Sequence, residues 1–124
     1  MTAILIDTHI YVWARLRPQR LTARERLILD AGPIRQVSVV VLWEIAILQG
    51  LGRIEDDPNL LELPVEFDLL PIRPAHCKKL RELPSHHRDP FDRMLLAQAH
   101  SEQVPLLTRD QAMAAYHGHV TILP

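Results

Sequence analysis

The sequence predicts a parallel α/β sandwich, on three observations. Short apolar runs of strand length recur at residues 3–6, 36–39, 68–72, 104–107 and 119–123. Helical patterns separate them, and strands alternating with helices favour a parallel sheet with crossover connections. The first run, Ile4-Leu5-Ile6, is apolar without alternation, as expected of a strand covered on both faces. At 124 residues, 48% hydrophobic and 23% charged, the chain is long enough for one compact core and too short for two, so a single domain over 1–124 is expected.

Taken in order, Asp7-Thr8 follows the first strand, and either side chain can cap a helix over residues 9–16 that Pro18 ends. Thr22-Ala23-Arg24-Glu25 matches a capping box and opens a helix to about residue 31, stopped by Gly32-Pro33. After the second strand, Ser38 leads into an apolar helix, Val39-Val40-Val41-Leu42-Trp43-Glu44-Ile45-Ala46-Ile47-Leu48. A helix apolar on nearly all sides is expected to be buried. Asp57-Pro58 opens a short helix over residues 59–67, and Pro74 a longer one to about residue 83, with Cys77 at a core or boundary position. Asp89-Pro90 starts a well-packed helix through Met94, Leu95, Ala97 and Ala99. Residues 111–116 form a last short helix.

Net charge is −1, which gives no bulk signature of a nucleic-acid binder. Arg15, Arg17, Arg20, Arg24 and Arg26 cluster early, as a solvated face or a local basic patch. A single cysteine, Cys77, excludes an intrachain disulfide. The apolar run at residues 3–6 is too short for a signal-peptide core or a membrane span, so a cytoplasmic protein is expected.

Four acids share one description. Asp7 and Asp110 follow apolar strands, Glu44 interrupts an apolar helix, and Asp92 lies in the first turn of a packed helix. Each also has a plain structural reading, as a cap or a paired carboxylate. In an α/β sheet, however, strand C-termini and the N-termini of following helices share one edge, where ligands bind. Carboxylates gathered there repel one another, and a hard divalent cation resolves the repulsion. Mg²⁺ is the natural occupant, with Mn²⁺ a substitute. The chemistry that follows is phosphodiester hydrolysis by an activated water. His86-His87 has no matching Cys or His spacing, so zinc is not expected there.

The stretches Ile4-Leu5-Ile6-Asp7-Thr8-His9, Val37-Ser38 through Trp43-Glu44-Ile45, Asp89-Pro90-Phe91-Asp92-Arg93-Met94 and Leu106-Leu107-Thr108-Arg109-Asp110 resemble the motifs of PIN domains. They are most similar to VapC ribonuclease toxins of VapBC toxin–antitoxin pairs, in the same order and spacing from residue 4 onward. The resemblance implies a three-layer α/β/α fold, Mg²⁺-dependent endoribonuclease activity, an inhibiting antitoxin and a homodimer. It assigns the metal and the catalysis to Asp7, Glu44, Asp92 and Asp110, with Asp89 as cap and support. Thr8, Ser38 and Thr108 are candidates to hydrogen-bond the carboxylates. Arg15 and Arg93 are the candidate substrate contacts, joined by Arg17 and Arg88, with RNA as substrate. One departure is Leu48-Gln49, where relatives often carry a basic residue after the helix glutamate. Two rival readings use the same residues: a metal-dependent hydrolase of small phosphoesters, and a non-catalytic module that binds a protein partner.

Overall fold

The computed structural model describes residues 2–123. Five parallel strands lie in the order β3-β2-β1-β4-β5. They are β1 (Ala3–Ile6), β2 (Ile34–Ser38), β3 (Phe67–Leu70), β4 (Leu106–Leu107) and β5 (Ile122–Leu123). β1 sits in the middle, with Leu5 opposite Gln36 on one side and Leu106 on the other. Its Ile4, Leu5 and Ile6 are buried, as the uninterrupted apolar run required. Each such side chain contributes about 1.5–3 kcal/mol of burial.

The helices are α1 (Thr8–Leu16), α2 (Ala23–Asp30), α3 (Val39–Gly50), α4 (Pro74–Glu82), α5 (Pro90–Glu102) and α6 (Gln111–Ala114). They flank the sheet and complete the three layers. Their starts follow local chemistry. Asp7, Ser38, Asp89 and Asp110 each accept a main-chain N–H from the first turn of the helix that follows. Thr22 and Glu25 close the capping box at α2.

Several expectations change. The helix after Asp57 is a single 3-10 turn, Pro58–Leu61. The last two strands shrink to two residues each, because Val104-Pro105 closes the turn out of α5, where Val104 N–H reaches Ala99 O, and His119 and Val120 bond back to Tyr116. Cys77 is exposed, and its neighbour His76 takes the buried position instead. His76 is held there by Arg73 N–H, which donates to Nδ1, and by Glu102, 2.8 Å from Nε2. Nor is α3 buried all round. Val40, Val41 and Ile45 pack inward, while Trp43, Ile47 and Leu51 are 56%, 40% and 62% exposed along one stripe. Composition alone does not reveal that one face of a largely apolar helix is left exposed within the chain.

Among the described residues, no helix is long and apolar enough to cross a membrane.

Candidate active site

The parallel topology sends β1, β2 and β4 to end at one edge of the sheet. Asp7 stands at the end of β1 and Asp110 just beyond β4. Glu44 is reached by following α3 from the end of β2, and Asp92 lies in the first turn of α5. Asp7, Glu44, Asp89, Asp92, Asp110 and His87 surround one cavity of about 220 Å³, whose lining contains no lysine or arginine.

Four of the five carboxylates are oriented by a hydroxyl or a main-chain N–H. Asp7 Oδ1 accepts Ile10 N–H at 2.8 Å, and its Oδ2 accepts the Thr108 hydroxyl. Thr8 Oγ1 donates to Glu44 Oε1 at 2.5 Å. Asp89 Oδ1 accepts Phe91 N–H at 2.8 Å and Asp92 N–H at 3.3 Å. Asp110 Oδ1 caps α6 through Ala112 N–H, leaving Oδ2 toward the cavity side, 3.8 Å from His87 Nε2. Capping and convergence are therefore compatible: Asp7 and Asp110 cap with one oxygen and keep the other for the edge of the sheet.

Burial sets the electrostatics. It pushes the Asp7 carboxyl above its ordinary range, against the opposing pull of the Thr108 and Ile10 hydrogen bonds. Burial likewise pushes Asp92 up to about 6, and the charges of Asp89 and Glu44 add to it, while His87 opposes. Carboxylates held this way, with no lysine or arginine among them, suit a divalent cation. The donor set is rich in carboxylate oxygen, which favours a hard ion. Three of the donors, from His87, Asp92 and Asp110, lie within 4.8 Å of one another.

The sequence reads His86 and His87 as surface histidines, with a minor role near a substrate as the alternative. The structure puts its Nε2 2.7 Å from Asp92 Oδ2. The loop that carries it is pinned from below. Tyr116 Oη accepts the N–H groups of His86 and His87 and donates to Pro84 O at 2.7 Å. Arg93 is part of the same clamp, donating to Pro84 O at 2.9 Å and to Tyr116 Oη at 3.1 Å. Arg15 is also engaged internally, with Tyr11 Oη, Glu62 O and Asn59 O. Both guanidinium groups expected at the substrate are thus tied to the fold. Arg17 pairs with Glu55, and Arg88 is exposed. Ser38 does not reach a carboxylate: its hydroxyl caps α3 and donates to Gln98 Oε1 at 2.5 Å, fully buried.

The family model for the PIN domain matches residues 4–118. The chain belongs to the PIN domain family. A curated relative of this PIN domain is Ribonuclease VapC22 of Mycobacterium tuberculosis, 27% identical over 124 residues, covering 96% of this chain and 95% of the relative. Two solved structures share the fold. VapBC2 from Rickettsia felis, bound to a DNA fragment from its promoter, superposes with a TM-score of 0.73 at 14% identity, covering 98% of each chain. FitAcB from Neisseria gonorrhoeae gives 0.72 at 18% identity, covering 98% of this PIN domain and 96% of that chain.

Proposed function

We propose that this PIN domain is a Mg²⁺-dependent endoribonuclease, the toxin of a toxin–antitoxin pair, acting in the cytoplasm as a single domain. The observation that carries the proposal is the cavity: carboxylates from four separate segments, no lysine or arginine in the lining, and burial that raises two of them. The family and the name of the ribonuclease relative support hydrolysis of RNA. The likeness to the VapBC2 structure supports an antitoxin partner.

In this reading Asp7 and Asp92 hold Mg²⁺ directly, and Glu44 and Asp110 act through water or orient the nucleophile. Mn²⁺ substitutes, since it takes similar ligands. When bound, the ion lowers the pKa of the attacking water and offsets charge on the phosphorane and the leaving oxygen. Thr108 fixes the Asp7 carboxylate and Thr8 that of Glu44, so the acids meet the ion without first reorganising. The Arg93–Tyr116 clamp keeps His87 at Asp92 and Asp110. A homodimer through the Trp43, Ile47 and Leu51 stripe fits the exposure of that face, which Phe91 extends by packing edge-on against Trp43 at 5.2 Å.

The test is cleavage of total cellular RNA by antitoxin-free protein in Mg²⁺, in Mn²⁺ and in EDTA, with Asp92→Asn alongside. Metal-dependent cuts that the variant loses support the proposal. Small phosphoesters hydrolysed while RNA stays intact would replace it with a phosphohydrolase. No activity and no metal-induced rise in melting temperature would leave a binding module.

A further inference from the structure

The acid cavity adjoins two others, and all three meet at His9. One, of about 290 Å³, is lined by His9, Ile10, Trp13 and Arg109, and shares Asp7 and Asp110 with the acids. The other, of about 260 Å³, runs along α1 and is lined among others by His9, Trp13, Arg17, Arg20, Arg53 and Glu55. His9 and Trp13 are one helical turn apart, so their rings share a face, with centroids 5.7 Å apart. The Arg109 guanidinium lies over the Trp13 ring at 4.3 Å. Glu25 fixes its plane by accepting from both Nε and Nη2 at 2.5 Å. A stack of Trp13 ring and fixed guanidinium, with the His9 ring tilted 47° against it, is thereby built in advance beside the acids.

The cavity along α1 has an uneven charge. Three arginines line it against one glutamate, and Arg17 takes that glutamate. Arg20 and Arg53 are exposed, and neither forms an ion pair among the described residues. Planar aromatic and guanidinium surfaces stack nucleobases, and free guanidinium groups hold phosphates.

We propose that His9, Trp13, Arg109, Arg20 and Arg53 form a track for single-stranded RNA that leads out of the acid cavity. A base next to the cleaved phosphate stacks on the His9–Trp13–Arg109 surface, and the phosphates beyond it lie on Arg20 and Arg53. This rests on the ribonuclease reading above and adds the path of the strand. An acidic peptide would satisfy the two arginines, but it would leave the stacking surface and the neighbouring acids without matching chemistry.

The experiment uses the full chain carrying Asp92→Asn, to prevent cleavage, and Trp43→Phe, so that Trp13 is the one tryptophan left of the two in the sequence. A labelled pool of random ten-nucleotide single-stranded RNA is titrated in Mg²⁺, with anisotropy and tryptophan emission read together. The expected result is saturable quenching of Trp13 with the same midpoint as the anisotropy. His9→Ala weakens binding roughly tenfold. Arg20→Gln with Arg53→Gln flattens the slope of log affinity against log salt by about 1.4, two phosphates at ~0.7 each. RNA that binds with Trp13 unquenched and the slope unchanged overturns the track and leaves the ribonuclease reading in place. A polyglutamate peptide that quenches Trp13 as well as RNA does would assign the groove to an acidic peptide and overturn the nucleotide reading. If RNA neither binds here nor is cut by the unsubstituted chain, both readings fall.

Discussion

Two buried carboxylate sites lie on either side of the Thr108-Arg109-Asp110 turn, and they are opposites. Glu25, 1% exposed, meets Arg109 in a two-pronged ion pair. The hydrogen bonds from Arg109 hold its carboxyl below the usual range, with burial opposing. Asp92 and Asp7 have no such cation, and burial drives both the other way. One turn of chain thus supplies the partner that neutralises one acid and, a residue later, an acid that worsens the charge of another cluster. Burying a carboxylate is tolerable when the fold provides the counter-charge. Where the fold supplies only His87 for several acids, the proposed metal ion would complete the counter-charge, and the second site reads as chemistry where the first reads as architecture.

The comparison breaks most visibly at Asp92. Asp92→Asn is expected to lower RNA cleavage on the order of 10²–10³-fold, the loss of a few kcal/mol of charge stabilisation. Without metal at pH 7 or above, the same variant should be more stable to denaturant than the native chain by ~1–3 kcal/mol, because it removes a carboxylate that burial disfavours. Mg²⁺ should raise the melting temperature of the native chain and leave the variant almost unmoved. A variant destabilised as if it had lost an ion pair would erase the contrast.

Next comes Arg109→Met, which strands Glu25. Denaturant unfolding should show a loss of about 2–3 kcal/mol, at the lower end for a buried pair because Arg109 reaches the surface. Adding Glu25→Leu should recover part of it. A smaller effect is in acid. The folded pKa of Glu25 is depressed, so its contribution is complete above the unfolded value near 4.5 and is lost as pH falls through the lower folded one. Melting scans from pH 5 to 2 should therefore fall less steeply in the Glu25→Leu, Arg109→Met chain. Smallest is Thr8→Val, which removes the donor to Glu44 at a cost of about 1 kcal/mol and slows cleavage several-fold without changing its metal requirement.

The carboxylate set was legible because each acid sits next to a signal that sequence carries well. Asp7 and Asp110 end apolar runs, Asp92 follows Asp89-Pro90, and Glu44 is alone in an apolar helix. Strand ends and helix starts are local, and a parallel sheet brings them to one edge. The arginines were not legible in this way. Arg15 and Arg93 have reach and charge, but what they meet are main-chain oxygens at Asn59, Glu62 and Pro84, distant in sequence and invisible as chemistry. Arg53, which follows Gly52 after α3, lines the groove without any motif, in the neighbourhood where Leu48-Gln49 lacked a basic residue. The contact of His87 with Asp92 was not legible, because it depends on a loop held by Tyr116. The exposed stripe of α3 escaped because apolar composition says that a face wants cover, not who provides it.

The position of β1 has a consequence for synthesis. Its neighbours are β2, soon to follow, and β4, whose partner residues Leu106 and Leu107 come about a hundred positions later. Thr108, which orients Asp7, is separated from it by 101 residues. While the ribosome is still working through the middle of the message, Asp7 has neither its hydroxyl partner nor Asp110 across from it. Most of the polypeptide must therefore be made before the acid cavity can close. Under the ribonuclease reading proposed above, a chain that stops short of β4 lacks both Thr108 and Asp110, and its acid site would be incomplete.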